Sequence, residues 1–119
     1  MFSLEEKLTL LEVEGTLSRW EDFIKEWAEG KGWNEDKTQG DWIALIHTEI
    51  SEAFEAYRNN EEEFWYNDGK PDGMAIELAD AVIRIMHWFS VHDCPLNTAL
   101  IAKMRYNLSR PYKHGGKKI

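Results

Sequence analysis

Two short acidic signatures carry the chemistry of this 119-residue chain. They are Glu49-x-x-Glu52 and Glu77-x-x-Asp80, with 24 residues between Glu52 and Glu77. Residues three apart are neighbours on a helix, so each pair would stack one turn apart if its segment is helical. Four carboxylates brought face to face cannot all stay ionised without a counter-charge. A divalent cation meets that need, and all-oxygen ligation suits Mg²⁺ or Mn²⁺ better than Zn²⁺. The competing reading is two solvated rows of acids, with Asp80–Arg84 as an i, i+4 ion pair. The elements that carry these residues decide between them.

Thr38 can cap a helix with Asp41 in its first turn, running to about Arg58. At ~100° per residue, Trp42, Leu45, Ile46, Ile50, Ala53, Phe54 and Tyr57 form a broad apolar arc. Glu49 falls inside that arc, Glu52 at its edge, and Glu55 rotates outward. The segment 74–92, with Asp72 as its cap, is apolar nearly all round. Its exception is a narrow stripe of Glu77, Asp80, Arg84 and His87. A helix this apolar is expected to be buried on most sides, with the stripe lining a cleft. His87 is a candidate for the layer behind any ligands. His47 and His92 read as ordinary surface or core histidines.

The rest of the chain supplies further helices. Ser3 and Glu6 form a capping-box pair before a short helix or arm over 3–13. Ser18 and Glu21 repeat the pattern ahead of Trp20, Ile24 and Trp27, with Gly30 as a stop. Residues 30–40 read as a loop. Residues 59–73 read as a long irregular connection, with no strand alternation in the chain. Pro95 starts a last helix that must end before Pro111. The expected architecture is all-α: one domain over 1–119, a bundle of four to five helices, with 1–15 as an arm and 111–119 as a basic tail.

Composition narrows the classes. Apolar residues make up 43% and charged residues 30%, the balance of a globular chain. The single Cys94 cannot form an internal disulfide, which suits a reducing compartment. No apolar run approaches the ~20 residues of a membrane span, and the first residues carry acids where a leader carries bases. A cytoplasmic location is therefore expected. The net charge of −8 is uneven: residues 103–119 hold six bases and no acid, whereas residues 1–102 hold 8 bases and 22 acids. There is no Walker A loop, no GxGxxG and no Ser or Cys nucleophile motif. HExxH and the Glu-x-x-His of di-iron bundles are also missing from the sequence.

The basic segment contains Lys103-x-x-x-Asn107-x-x-Arg110-Pro. Together with the two acidic pairs, this resembles the MazG-like nucleotide pyrophosphohydrolases of the all-α NTP pyrophosphatase superfamily, over about residues 16–119. Many members carry a further Glu just before the first ligand, where this chain has Thr48. The resemblance implies hydrolysis of an NTP or dNTP to the monophosphate and pyrophosphate. It implies Mg²⁺, with Mn²⁺ as a substitute, held by Glu49, Glu52, Glu77 and Asp80. It also implies assembly as a homodimer or homotetramer. By position, Trp33 is similar to an aromatic that stacks on the base, although a hydrophobic anchor for its loop is an equal reading. Lys103, Asn107 and Arg110 match positions that contact phosphates or sugar. Glu52 is the expected catalytic base. Three alternatives stand beside this reading. One is a non-catalytic helical module binding nucleic acid through the basic tail, against which the acidic remainder counts. Another is a related enzyme acting on phosphoribosyl-ATP. The third is a structural oligomerisation domain whose acids are simply solvated.

Overall fold

The computed structural model describes residues 1–33 and 36–119. In chain order the elements are α1 (Leu4–Glu14), α2 (Leu17–Gly30), α3 (Gln39–Arg58), β1 (Trp65–Asn67), β2 (Lys70–Asp72), α4 (Met74–Val91), α5 (Leu96–Ser109) and α6 (Lys113–Gly116). The fold is an all-α bundle with one small hairpin. Residues 34 and 35 of the expected 30–40 loop lie outside the described residues. Among the described residues no helix is long and apolar enough to cross a membrane.

Local chemistry accounts for most helix starts. Ser3 and Glu6 close a full capping box on α1, and Thr38 and Asp41 do the same on α3. Two expected caps are corrected. The cap of α2 is Thr16, whose hydroxyl accepts from Arg19 N, rather than Ser18. Glu21 is taken elsewhere: its Oε1 accepts from Leu96 N at 3.1 Å and so ties down the start of α5. On α4 the cap position is Gly73, without a side-chain bond, and Asp72 instead accepts from Gly73 N. Gly30 is the last residue of α2 rather than a stop beyond it.

The connection expected to be irregular contains a β-hairpin. Trp65 pairs with Asp72, Tyr66 with Pro71 and Asn67 with Lys70, antiparallel. Asp68 and Gly69 both have positive φ, 52° and 84°, as a two-residue primed turn requires. The hairpin is anchored to α4: Ala75 N donates to Glu63 O at 2.9 Å.

The helices α3 and α4 form the central pair; α2 packs on α4, and α1 and α5 pack on α2. The two central helices run antiparallel, since Ile43 shares a groove with Phe89 while Glu52 hydrogen-bonds Glu77. Ala53, Ala56 and Ala81 are buried in them, and their small size permits close backbone approach. Trp42, Met86, Ile24 and Ala28 complete the buried set around this pair. The expectation that α4 is enclosed on most sides is not met, because Leu78 and Val82 are exposed. The inward arc of α3 also splits: Trp42 and Ala53 are buried, but Ile50, Phe54 and Tyr57 are exposed. Among the described residues, α2 and the hairpin pack beside the α3–α4 pair and leave one long side of it uncovered.

Gly73 fixes where α4 begins. Its φ is +107°, and a Cβ there would sit 2.5 Å from both Glu62 O and Glu63 O. Gly73→Ala should therefore cost more than the ~1–3 kcal/mol of backbone strain alone. Chemical denaturation should show that loss, whereas Gly30→Ala, with open space around its Cβ, should be neutral or stabilising.

Candidate metal centre

The antiparallel α3–α4 pair places acids from both helices against one another. One carboxylate oxygen each from Glu49, Glu52 and Glu77 lie within 4.8 Å of one another. Glu49 is buried, Glu77 half-buried and Glu52 exposed, so the cluster grades from interior to solvent. Asp80 stands outside this trio. It lines the cleft that holds Glu49, and burial first and the Glu49 charge second raise its pKa. Lys70 of the hairpin and Arg84 act on Asp80 in the opposite direction.

The Asp80–Arg84 ion pair of the competing reading is not formed among the described residues, where Arg84 pairs across the helices instead. Arg84 Nε donates to Glu49 Oε1 at 2.8 Å. The other oxygen, Glu49 Oε2, is buried and has no hydrogen-bond partner among the described residues. A buried carboxylate oxygen left unpaired is costly, because burial removes the water that would solvate it. That orphaned atom, beside two further carboxylates, fits a hard divalent cation of the Mg²⁺ class.

Crowding also shifts Glu77. Burial first, then the hydrogen bond and charge of Glu52, then Asp80 and Glu49, raise its pKa to about 7. The Glu77 carboxyl therefore holds a proton up to about neutrality. A cation that binds here competes with that proton.

Two cavities adjoin the acids. One of about 180 Å³ is lined by Trp27, Trp33, Glu49, Asp80, Ile83, Arg84 and His87. The other, about 330 Å³, is lined by Trp33, Lys37, Trp42, Leu45, Arg84 and His87. They share Trp33, Arg84 and His87. Trp33 stands edge-on to Trp27 with ring centroids 4.7 Å apart, and its carbonyl accepts from Lys37 Nζ at 2.6 Å. It is nonetheless 47% exposed, so it both anchors its loop and walls the cavity. Trp42 meets His87 edge-on at 4.8 Å, and Lys37 Nζ lies 4.6 Å over the Trp42 ring. Burial, then the charges of Lys37 and Arg84, lower the His87 pKa and favour its neutral form. A larger groove, about 380 Å³, lies between α1 and α2. Four of its charges are paired, Lys7 with Glu26 and Arg19 with Glu14, and Asp22 is a lone further acid, so it holds no carboxylate cluster.

The structure thus brings together Glu49, Glu52, Glu77 and, at one remove, Asp80, with Trp33 beside them. It does not bring Lys103, Asn107 and Arg110 to the cavities within one chain. These sit on α5, where Lys103 and Arg110 both lie over the Tyr106 ring and Asn107 approaches Met104. The helix packs on α2 rather than on the acidic pair. Thr48, at the departure from the family pattern, donates to Ala44 O and faces solvent. The sequence reading missed Trp27, Lys37 and Trp42 as cavity residues and did not foresee the Arg84–Glu49 pair. The aromatic spacing of α2 and α3 reads equally well as core, and no one-dimensional signal separates the two uses. Comparison with protein-family models, with curated proteins and with solved structures gives no match.

The raised Glu77 pKa sets a pH dependence with a defined sign. A proton held more tightly in the folded than in the unfolded chain stabilises the fold fully below about 4.5. That contribution is lost as pH rises to about 7. In chelator-treated protein, the stability of wild type relative to Glu77→Gln should therefore fall between about pH 5 and 8. A flat difference in urea unfolding across that range would show that Glu77 titrates normally.

Proposed function

We propose that the protein is a Mg²⁺-dependent nucleoside triphosphate pyrophosphohydrolase of the cytoplasm, with Mn²⁺ as a substitute metal. It cleaves an NTP or dNTP to the monophosphate and pyrophosphate by water attack at the α-phosphorus. The observation that carries this reading is the buried, unpartnered Glu49 Oε2 within the carboxylate trio, set beside an aromatic cavity with two cations on its wall. The motif resemblance supplies the reaction.

Glu49, Glu52 and Glu77 would hold the cation, with Asp80 adjoining. When bound, it would screen the triphosphate charge and make water a better nucleophile near neutral pH. Glu52 is the exposed member of the trio, so it can reach water at the mouth of the cleft, orient it and take its proton. Trp27 and Trp33 offer a wall on which a planar base can lie. Lys37 and Arg84 are the cations placed at the cavities, whereas Lys103, Asn107 and Arg110 have no part in the site within one chain.

The test is pyrophosphate release over a panel of canonical and modified NTPs, with Mg²⁺ and with chelator. Activity should vanish with chelator, and Glu52→Gln should lower kcat by about 10²–10⁴-fold. Wild-type turnover by Glu52→Gln at saturating Mg²⁺ would remove the base assignment. Silence across the whole panel would overturn the enzymatic reading and favour a binding module.

We also propose that a second copy of the chain covers the outer side of the α3–α4 pair. Ile43, Ile46, Ile85, Trp88 and Phe89 line one groove there, with no polar lining. Ile50 and Tyr57 continue the phase of Ile43 along α3; Leu78 and Val82 continue that of Ile85 and Phe89 along α4. Ile43, Ile50, Phe54, Tyr57, Leu78 and Val82 are each 44–64% exposed. Together they leave on the order of 700 Å² bare, close to the ~800 Å² per partner of a standard interface and above what a monomer usually exposes. Light scattering should report a dimer or tetramer at micromolar concentration, and Phe54→Glu with Val82→Glu should yield monomer. A monomeric wild type would refute the assembly.

A further inference from the structure

Arg84 touches the carboxylate cluster and lines both cavities. Its guanidinium has five N–H donors in a fixed fork. Among the described residues only Nε is engaged, on Glu49 Oε1. The ion pair is asymmetric: the Glu49 side chain is 8% exposed and that of Arg84 is 39% exposed. The buried end of the pair is thus pinned, while the guanidinium keeps donors toward open space. That space includes a cavity walled by Trp33, Trp42 and His87, with Lys37 but, among the described residues, no carboxylate on its lining. Such a cavity suits an aromatic ring whose edge carries hydrogen-bond acceptors.

We propose that Arg84 is a positioning residue that couples cation binding at the carboxylate cluster to ligand binding in the aromatic cavity. Resting on the proposed metal-dependent reading, it extends that reading to a link between the two subsites. Through Nε, Arg84 holds Glu49 Oε1, which leaves Oε2 as the oxygen offered to a cation. Partners behind a ligand that fix its orientation typically change metal affinity 10–100-fold when altered. A cation on Oε2 fixes the carboxylate in place and, through the Nε bond, fixes the direction of the guanidinium. The fork is then better able to donate to an acceptor in the cavity. Coupling of this kind is reciprocal, so a ring bound in the cavity must tighten the cation by the same factor.

The geometry also allows the opposite sign. Arg84 could be only a resident counter-charge that a cation has to overcome, in which case its removal would tighten metal binding. Both effects act on the same carboxylate, and affinity measurements separate them. Lysine at this position is the informative change. It keeps the positive charge but loses the fork that grips one oxygen in a fixed direction.

The experiment measures Mn²⁺ affinity by electron paramagnetic resonance on wild type, Arg84→Lys and Arg84→Gln. Circular dichroism and thermal melts confirm that each variant is folded. Free nucleosides serve as the cavity probe, followed by tryptophan fluorescence, because without phosphates they cannot reach the cation through a phosphoryl oxygen. Wild type should bind Mn²⁺, and a nucleoside that quenches fluorescence should bind at least ~5-fold tighter with Mn²⁺ present. Arg84→Lys should weaken Mn²⁺ by about 10–100-fold and abolish the nucleoside coupling. Unchanged or tighter Mn²⁺ binding in Arg84→Lys, with wild type binding normally, overturns the role of Arg84 and leaves the metal reading standing. Coupling that survives in both variants overturns it equally. No Mn²⁺ uptake by wild type overturns the metal reading and this inference together.

Discussion

A carboxylate buried between two helices has to find a cation, and Arg84 of α4 provides one for Glu49 of α3 at 2.8 Å. That contact constrains the register of the central pair. It requires the helices to run antiparallel with residues 49 and 84 at the same height. The same register then sets Glu52 against Glu77 one to two turns further along. A single ion pair does not satisfy this concentration of charge: Arg84 acts on Glu49 and Asp80, and Glu77 is still crowded by Glu52, Asp80 and Glu49. Breaking a buried pair by removing one partner is strongly destabilising, so the constraint acts on the fold as well as on the site.

The hairpin and Gly73 hold the other end of the arrangement. The positive φ of Gly73 lets the chain turn directly from β2 into α4 beneath the carbonyls of Glu62 and Glu63. Glu77 then falls in the first turn of α4, where the helix N-terminus favours negative charge. That help is insufficient, and the carboxyl still keeps its proton up to about pH 7. The site is therefore electrostatically frustrated in the absence of a cation. Strain of this kind commonly marks functional places, where stability is given up for chemistry.

The α3–α4 pair has two unlike sides. One carries the acids and, through Trp33, Trp42 and His87, the walls of the cavities. The other is a row of exposed aliphatic and aromatic residues. Both sides belong to the same two helices, so any assembly on the apolar side would rigidify the frame that spaces Glu49 from Glu77. The basic residues of α5 stand apart from this frame, neutralising no acid of the cluster and instead lying over Tyr106.

Helix identity was legible in the sequence wherever local chemistry decides it. The Ser3–Glu6 and Thr38–Asp41 boxes, the Pro95 start and the Pro111 limit all act within a few residues. Glu49 could likewise be read as inward-facing, because its neighbours set the phase of one helix. The hairpin was hidden by its three-residue strands and by Pro71, although Asp68-Gly69 was the one local signal for its turn. Caps that depend on distant partners were misread, as with Glu21, which serves residue 96 rather than its own helix. The partner of Arg84 was not legible for the same reason: an i, i+4 acid is near in sequence, but the choice between Asp80 and Glu49 is made by how α3 lies on α4. The sequence by itself determined which residues carry charge and which face of each helix they occupy, because periodicity is a property of one element. Only the tertiary structure decided that Glu49, Glu52 and Glu77 meet, that Asp80 stands aside and that Lys103, Asn107 and Arg110 remain elsewhere, because distances between elements follow from packing rather than from spacing along the chain.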